Sequence, residues 1–169
     1  MTNVDDIATS LRRTLRTGPA PVWLVTAATP DGRFGMTATA VFSASLAPPT
    51  LAVCVNRTAS IYGALMAVER FGVQALTSDH MDIALQFGST RLAAERFLHG
   101  EWSNPQGVPC LTDALGSFIC VRRAEFDVGT HTIFIGEIVE ATDGSGTPLV
   151  LHEGQLLASA HNRSGGDQK

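Results

Sequence analysis

Short apolar runs separated by glycine- and proline-bearing clusters dominate this chain, and a helical period is confined to four places. Ile7, Leu11 and Leu15 recur every four residues, with Arg12, Arg13 and Arg16 among them and Gly18-Pro19 behind, which predicts an amphipathic helix over 6–15. Ile61, Ala64, Leu65 and Val68 form a second helical face, for which Thr58 is the expected N-cap. A third helix opens at Asp79 and carries Ile83, Ala84 and Phe87, and residues 92–98 predict a fourth, shorter one. Strands are expected over 22–27, 51–55, 71–76, 117–128, 132–140 and 149–152, with the one at 51–55 near the middle of its sheet.

Residues 34–46 read as one long strand, joined to the strand at 22–27 by the turn Pro30-Asp31-Gly32 and closed by Pro48 and Pro49, which lack N–H donors. Alternation would put Thr37, Thr39, Val41, Ser43 and Ser45 on one side and Met36, Ala38, Ala40, Phe42 and Ala44 on the other. A small, hydroxylated face lets a flat anionic ligand approach the backbone closely, although solvated strands also tolerate such residues. The loop at 101–111, with Trp102, Pro105, Gly107 and Pro109, is a candidate lid. Many strands, few helices and no βαβ alternation predict a closed antiparallel barrel with helices packed outside it. One domain is expected over 1–169, with its core at about 19–157 and a mobile polar tail at 162–169.

Composition narrows the functional classes. Hydrophobic residues are 44% of the chain and charged residues 17%, which is ordinary for a globular protein. A net charge of −4 argues against nucleic acid or an anionic membrane as a partner. Cys54, Cys110 and Cys120 lack CxxC spacing, and acids rather than bases follow Met1, so reduced thiols in a cytoplasmic protein are expected.

Histidines 80, 99, 131, 152 and 161 are scattered without the spacing of metal ligands. There is no Gly-x-Ser-x-Gly elbow, Walker loop or Gly-x-Gly-x-x-Gly turn, so a nucleotide would need another architecture. Residues 56–60 pass from a strand end to a helix start, where unpaired N–H groups suit an anion. His131 lies in the turn Gly129-Thr130-His131-Thr132 between two long strands, and Tyr62 is expected to pack.

An ordered set of motifs carries a resemblance: Gly35-Met36-Thr37-Ala38-Thr39-Ala40, Ser43-Ala44-Ser45, Pro48-Pro49, Val53-Cys54-Val55-Asn56 with Ser60, and Gly129-Thr130-His131-Thr132-Ile133-Phe134-Ile135-Gly136-Glu137-Ile138. From about residue 19 to 157 the chain resembles the short-chain flavin reductases, the reductase components of two-component flavin-dependent monooxygenases of the 4-hydroxyphenylacetate and phenol hydroxylase type. The resemblance implies a mainly β, FMN-binding split β-barrel, antiparallel and Greek-key-like, with a few peripheral helices and a homodimeric assembly with flavin near the subunit interface. It places FMN or FAD on Thr37, Ala38, Thr39, Ala40, Val55, Asn56, Arg57, Ser60 and near Phe87, with His131 beside the ring as the catalytic residue where nicotinamide stacks.

The implied activity is hydride transfer from NADH or NADPH to FMN or FAD, with reduced flavin passed to a partner monooxygenase. Backbone N–H groups at Val55, Asn56 and Arg57 would face either the pyrimidine edge or the phosphate. Two departures stand out: Ala40 occupies a position where the family often has serine, and residues 148–156 lack the family's tyrosines, leaving His152 as the nearest substitute. Three other readings are compatible with the residues: reduction of a cobalt corrinoid or another metal centre, flavin binding without turnover, and an apolar-ligand barrel.

Overall fold

The computed structural model describes residues 3–159; the tail expected at 162–169 lies outside them. Helix α1 (Val4–Arg16) comes first, its Asn3 side chain accepting from the Asp5 N–H. Strands β1 (Ala20–Pro21), β2 (Trp23–Thr29), β3 (Gly32–Ala38), β4 (Val41–Leu46) and β5 (Pro49–Asn56) follow, then α2 (Tyr62–Ala67), β6 (Arg70–Ala75) and α3 (Met81–Gly88). Short strands β7 (Trp102–Ser103) and β8 (Cys110–Leu111) precede the long hairpin of β9 (Gly116–Val128) and β10 (His131–Asp143), and β11 (Leu149–His152) with β12 (Gln155–Ala158) end the described chain.

Seven strands form one antiparallel sheet in the order β3-β2-β6-β9-β10-β5-β4. Their inward side chains, among them Val25, Val53, Phe71, Cys120 and Phe134, are fully buried and make the main core. A second cluster of Val22, Leu24, Phe87, Phe97 and Leu149 lies beneath α3, and the small sheet β1-β11-β12 packs beside it. Apolar positions in β2, β5, β6, β9 and β10 come two apart wherever one face is solvated, as strand geometry requires. Among the described residues no helix is long and apolar enough to cross a membrane.

Several expectations are corrected. The sheet is open rather than closed, because β3 and β4 are its two edges and do not pair. Residues 34–46 are not one strand: the Cys54 N–H donates to the Ala40 carbonyl (3.0 Å), which swings the chain from β3's neighbour β2 onto β5. Alternation restarts in a new phase across this corner, so Ala38 and Val41 are both buried while Phe42 is exposed. Strand β5 lies one place from the edge, not near the middle.

Residues 92–98 hold only a 3₁₀ turn (Ala93–Glu95), since Arg96 is extended and Phe97 has φ 67°. Thr58 does not cap α2: Ile61 precedes the helix without a side-chain cap, and Thr58 bonds to Asn56 instead. The expected lid at 101–111 is a pinned β7-β8 ribbon, with Trp102 packed at a tilt against Phe97 (4.7 Å between centroids) and the Thr26 hydroxyl donating to the Pro109 carbonyl (2.6 Å).

Candidate functional site

The hydroxylated strand meets helix α3 along β3. The Thr37 hydroxyl donates to the Ala84 carbonyl (2.7 Å), so its hydrogen is committed while its oxygen can still accept. Gly35 passes directly over Phe87, where a Cβ would come 2.5 Å from the ring, and Phe87 itself is 2% exposed. Phe87 therefore shapes the floor of the site from within the core. Thr39, half-buried at the corner, faces a cleft of about 330 Å3 whose other walls include Thr37, Leu85, Ser89, Leu151 and Leu156.

Arg96 joins the pieces at the end of α3. Its guanidinium donates to the carbonyls of Gly35 (3.0 Å) and Ser89 (2.9 Å) and to the Ser60 hydroxyl (2.8 Å), and its Nε reaches the Gln86 carbonyl (3.4 Å). Burial lowers its pKa from the ordinary arginine value, which leaves it a cation at any physiological pH. Because Ser60 accepts from this cation, its own hydrogen is free to donate outward to an anion. One Nη2 hydrogen of Arg96 is likewise uncommitted.

The third part is the paired end of β5 and β10, where Asn56 stands opposite His131. Asn56 Oδ1 accepts from both the N–H and the hydroxyl of Thr58 (2.9 Å each), which fixes the amide and leaves its NH2 group free to donate. Arg57 turns away into the β9–β10 hairpin: its N–H donates to the Thr130 carbonyl (3.0 Å), and its guanidinium meets the Asp127 carboxylate (3.3 Å) and the Gly129 carbonyl. The expectation that the Arg57 amide faces a ligand is thus corrected, since that N–H is already paired. His131 is exposed, with Nδ1 held 3.0 Å from the Thr130 hydroxyl, so Nε2 is the outward ring atom.

The remaining expected positions supply shape. Ala38 and Val55 are buried, Ala40 is exposed with its carbonyl spent on Cys54, and Tyr62 packs edge-on against Phe134. His152 is engaged with the Thr17 carbonyl (3.0 Å) at the end of α1, while Leu151 and Leu156 of its hairpin line the cleft. All three cysteines are free; burial pushes the Cys54 thiol up, takes Cys110 to about 11 and Cys120 to about 12, so none is a reactive thiolate.

Residues 15–159 match the family model described as the flavin reductase like domain. The chain belongs to the flavin reductase family. It is 37% identical over 159 residues to the reductase component of an FADH2-dependent resorcinol hydroxylase from a Rhizobium species, covering 92% of this chain and 89% of that protein. It is 41% identical over 140 residues to an NADH-dependent FMN reductase, RutF, of Methylorubrum extorquens, covering 82% and 68%. Among solved structures it superposes with a TM-score of 0.86 on an NADH:FAD oxidoreductase of Streptomyces globisporus C-1027, crystallised with NAD and FAD fragments, at 26% identity and covering 96% and 98%.

Within this flavin reductase domain, one residue of the site escaped the sequence reading. Arg96 sits in Glu95-Arg96-Phe97, inside a stretch whose leucines suggested helix, so nothing marked its side chain as different from the arginines nearby.

Proposed function

We propose that this flavin reductase transfers a hydride from a reduced nicotinamide dinucleotide to FMN or FAD and hands the reduced flavin to a separate oxygenase. The observation that carries the reading is the relatedness over nearly the whole chain to reductases named for this activity. The donor set supports it, because a hydroxyl polarised by a cation (Ser60 on Arg96) suits a phosphate and a fixed amide NH2 (Asn56) suits a ring carbonyl.

When bound, a flavin would supply a ring able to accept a hydride, with its electron pair, from C4 of a nicotinamide. Ser60 and Arg96 hold the phosphate, and Thr39 with the Thr37 oxygen borders the chain that links it to the ring. The free NH2 of Asn56 would donate to a carbonyl on the ring edge. His131 directs Nε2 toward the nicotinamide and orients it, while Arg57 acts as a positioning residue that steadies the hairpin bearing His131. Ala38, Ala40, Val55 and Phe87 contribute shape rather than polar contact.

The finer fold reading is a split barrel, supported by the two residues that join edge strands β3 and β4 into one curled sheet. A homodimer is supported by an apolar outer face across β9, β10, β5 and β4. Phe126, Ile133 and Cys54 form one cross-strand row there, Phe42 opposite Ala52 belongs to the next, and Phe42 is 53% and Phe126 57% exposed. The unpaired cysteines support a cytoplasmic setting.

The test is oxidation of NADH and NADPH in the presence of FMN, FAD and riboflavin in turn. Flavin-dependent consumption of the nicotinamide is expected. A purified protein that consumes neither nicotinamide with any flavin, or that reduces a corrinoid in preference, overturns the reading.

A further inference from the structure

Three cavities share walls along one side of the molecule. The cleft beside Thr37 and Thr39 shares Thr39, Leu151 and Gly154 with a neighbour of about 350 Å3, and that one shares Arg16 and Glu153 with a third of about 440 Å3. They make one trough, running from β3 along the turn between β11 and β12 to the polar face of α1. Its chemistry changes along its length. Leucines and hydroxyls line the end at β3, whereas Arg12, Arg13, Arg16, Thr9 and Thr17, with the single acid Glu153, line the end at α1.

The C-terminal end of α1 is held in place at Arg16 and Thr17. The Arg16 guanidinium donates to the Glu153 carbonyl (3.1 Å), the Glu153 N–H returns a bond to the Arg16 carbonyl (3.1 Å), and His152 contacts the Thr17 carbonyl. A side chain at Gly154 would collide with the Arg16 guanidinium, so the glycine keeps the trough open where two cavities join. At about 100° per residue, Thr9, Arg12, Arg13 and Arg16 share one side of α1, and Arg12 and Arg16 are about 6 Å apart along its axis. Arg12 and Arg13 make no ion pair with any described residue. In a chain of net charge −4, three guanidiniums in one groove select an anion, and their planar forks match phosphate oxygens.

We propose that this trough seats the ADP end of a dinucleotide, with the phosphate on its adenosine side at Arg12, Arg13 and Arg16 and its ribose beside Thr9 and Thr17. The inference rests on the flavin reductase reading and adds a subsite to it. The shared chemistry is the ADP group, which FAD and the nicotinamide dinucleotides both carry and FMN lacks.

The test pairs the full chain with an Arg12→Gln, Arg13→Gln double variant, leaving Arg16 to hold the hairpin. ADP is titrated into each by calorimetry, and KM is measured for FMN and FAD at saturating NADH and for NADH and NADPH at saturating FMN. The expected result is ADP binding that weakens about tenfold in the variant, with a similar rise in KM for one dinucleotide arm and a change under about twofold for FMN. The arm that moves identifies the dinucleotide. The proposal is overturned if the original chain does not bind ADP, if every KM is unchanged, or if the FMN value rises as much as the others. Should the original chain reduce no flavin at all, it is the catalytic reading that fails, and ADP titration alone decides the trough.

Discussion

The Arg96 guanidinium donates to the Ser60 hydroxyl across 2.8 Å, tying the extended segment after α3 to the residues that precede α2. The pair brings a fixed positive charge to a hydroxyl that would otherwise be one more solvated serine. Arg96→Met should raise KM for FMN by about tenfold or more, while riboflavin, without a phosphate, shifts much less. Equal loss for both flavins would reduce Arg96 to a structural role, since it also serves the Gly35, Gln86 and Ser89 carbonyls.

Asn56 separates binding from folding. In Asn56→Asp the oxygen that accepts from Thr58 is kept and the NH2 donor is lost, so melting temperature should hold while flavin affinity falls about tenfold. Asn56→Ala removes both contacts and should lower both quantities. A fluorescence titration with FMN beside a thermal melt reads the two effects apart.

His131→Ala should raise KM for the nicotinamide with flavin affinity preserved. Arg57→Ala should produce a smaller change of the same kind, because it loosens the hairpin from Asp127 and Gly129 without touching the ring. Unchanged turnover and unchanged nicotinamide affinity in His131→Ala would remove His131 from the mechanism.

The buried thiols make stability fall at high pH. Unfolded cysteine ionises near 9, whereas burial first, with Glu140 second, holds Cys110 neutral to about 11, and burial first, with Cys110 second, holds Cys120 neutral to about 12. Below pH 9 neither state ionises and this contribution is fully present; above it the unfolded chain releases protons that the native chain retains, so stability declines through the window from 9 to 12. Urea midpoints at a series of pH values should show that decline. Ellman's reagent should reach Cys110 and Cys120 only in denaturant.

Gly35→Ala should destabilise the fold by about 1–3 kcal/mol, because the added methyl group meets the Phe87 ring in a filled core. A urea midpoint equal to the original's would mean that α3 can shift away from β3 at no cost.

The parts legible in the sequence were those with a local cause. Gly129, at φ 57°, and Thr130 mark the β9–β10 turn, and register then carries His131 opposite Asn56. Residues 22–27 and the turn at 30–32 gave the β2–β3 hairpin for the same reason. What could not be read depends on distant partners. The Cys54 N–H holds the bend at Ala40, the Thr130 carbonyl removes the Arg57 amide from play, and the folded positions of Gly35, Ser60, Gln86 and Ser89 give Arg96 its place. Strand β12 was missed because its run at 155–158 is short and pairs with β11 alone.

The bend at Thr39 and Ala40 joins the two outermost strands of the large sheet, so those edges are neighbours in the chain but strangers in hydrogen bonding. A molecule lodged against that bend would act as a clasp across the gap, and by mass action flavin at a hundred times its dissociation constant adds about 2.7 kcal/mol to the folded state. Cells poor in flavin would therefore hold this reductase in a looser, more easily degraded form, which ties its abundance to the supply of the compound it reduces.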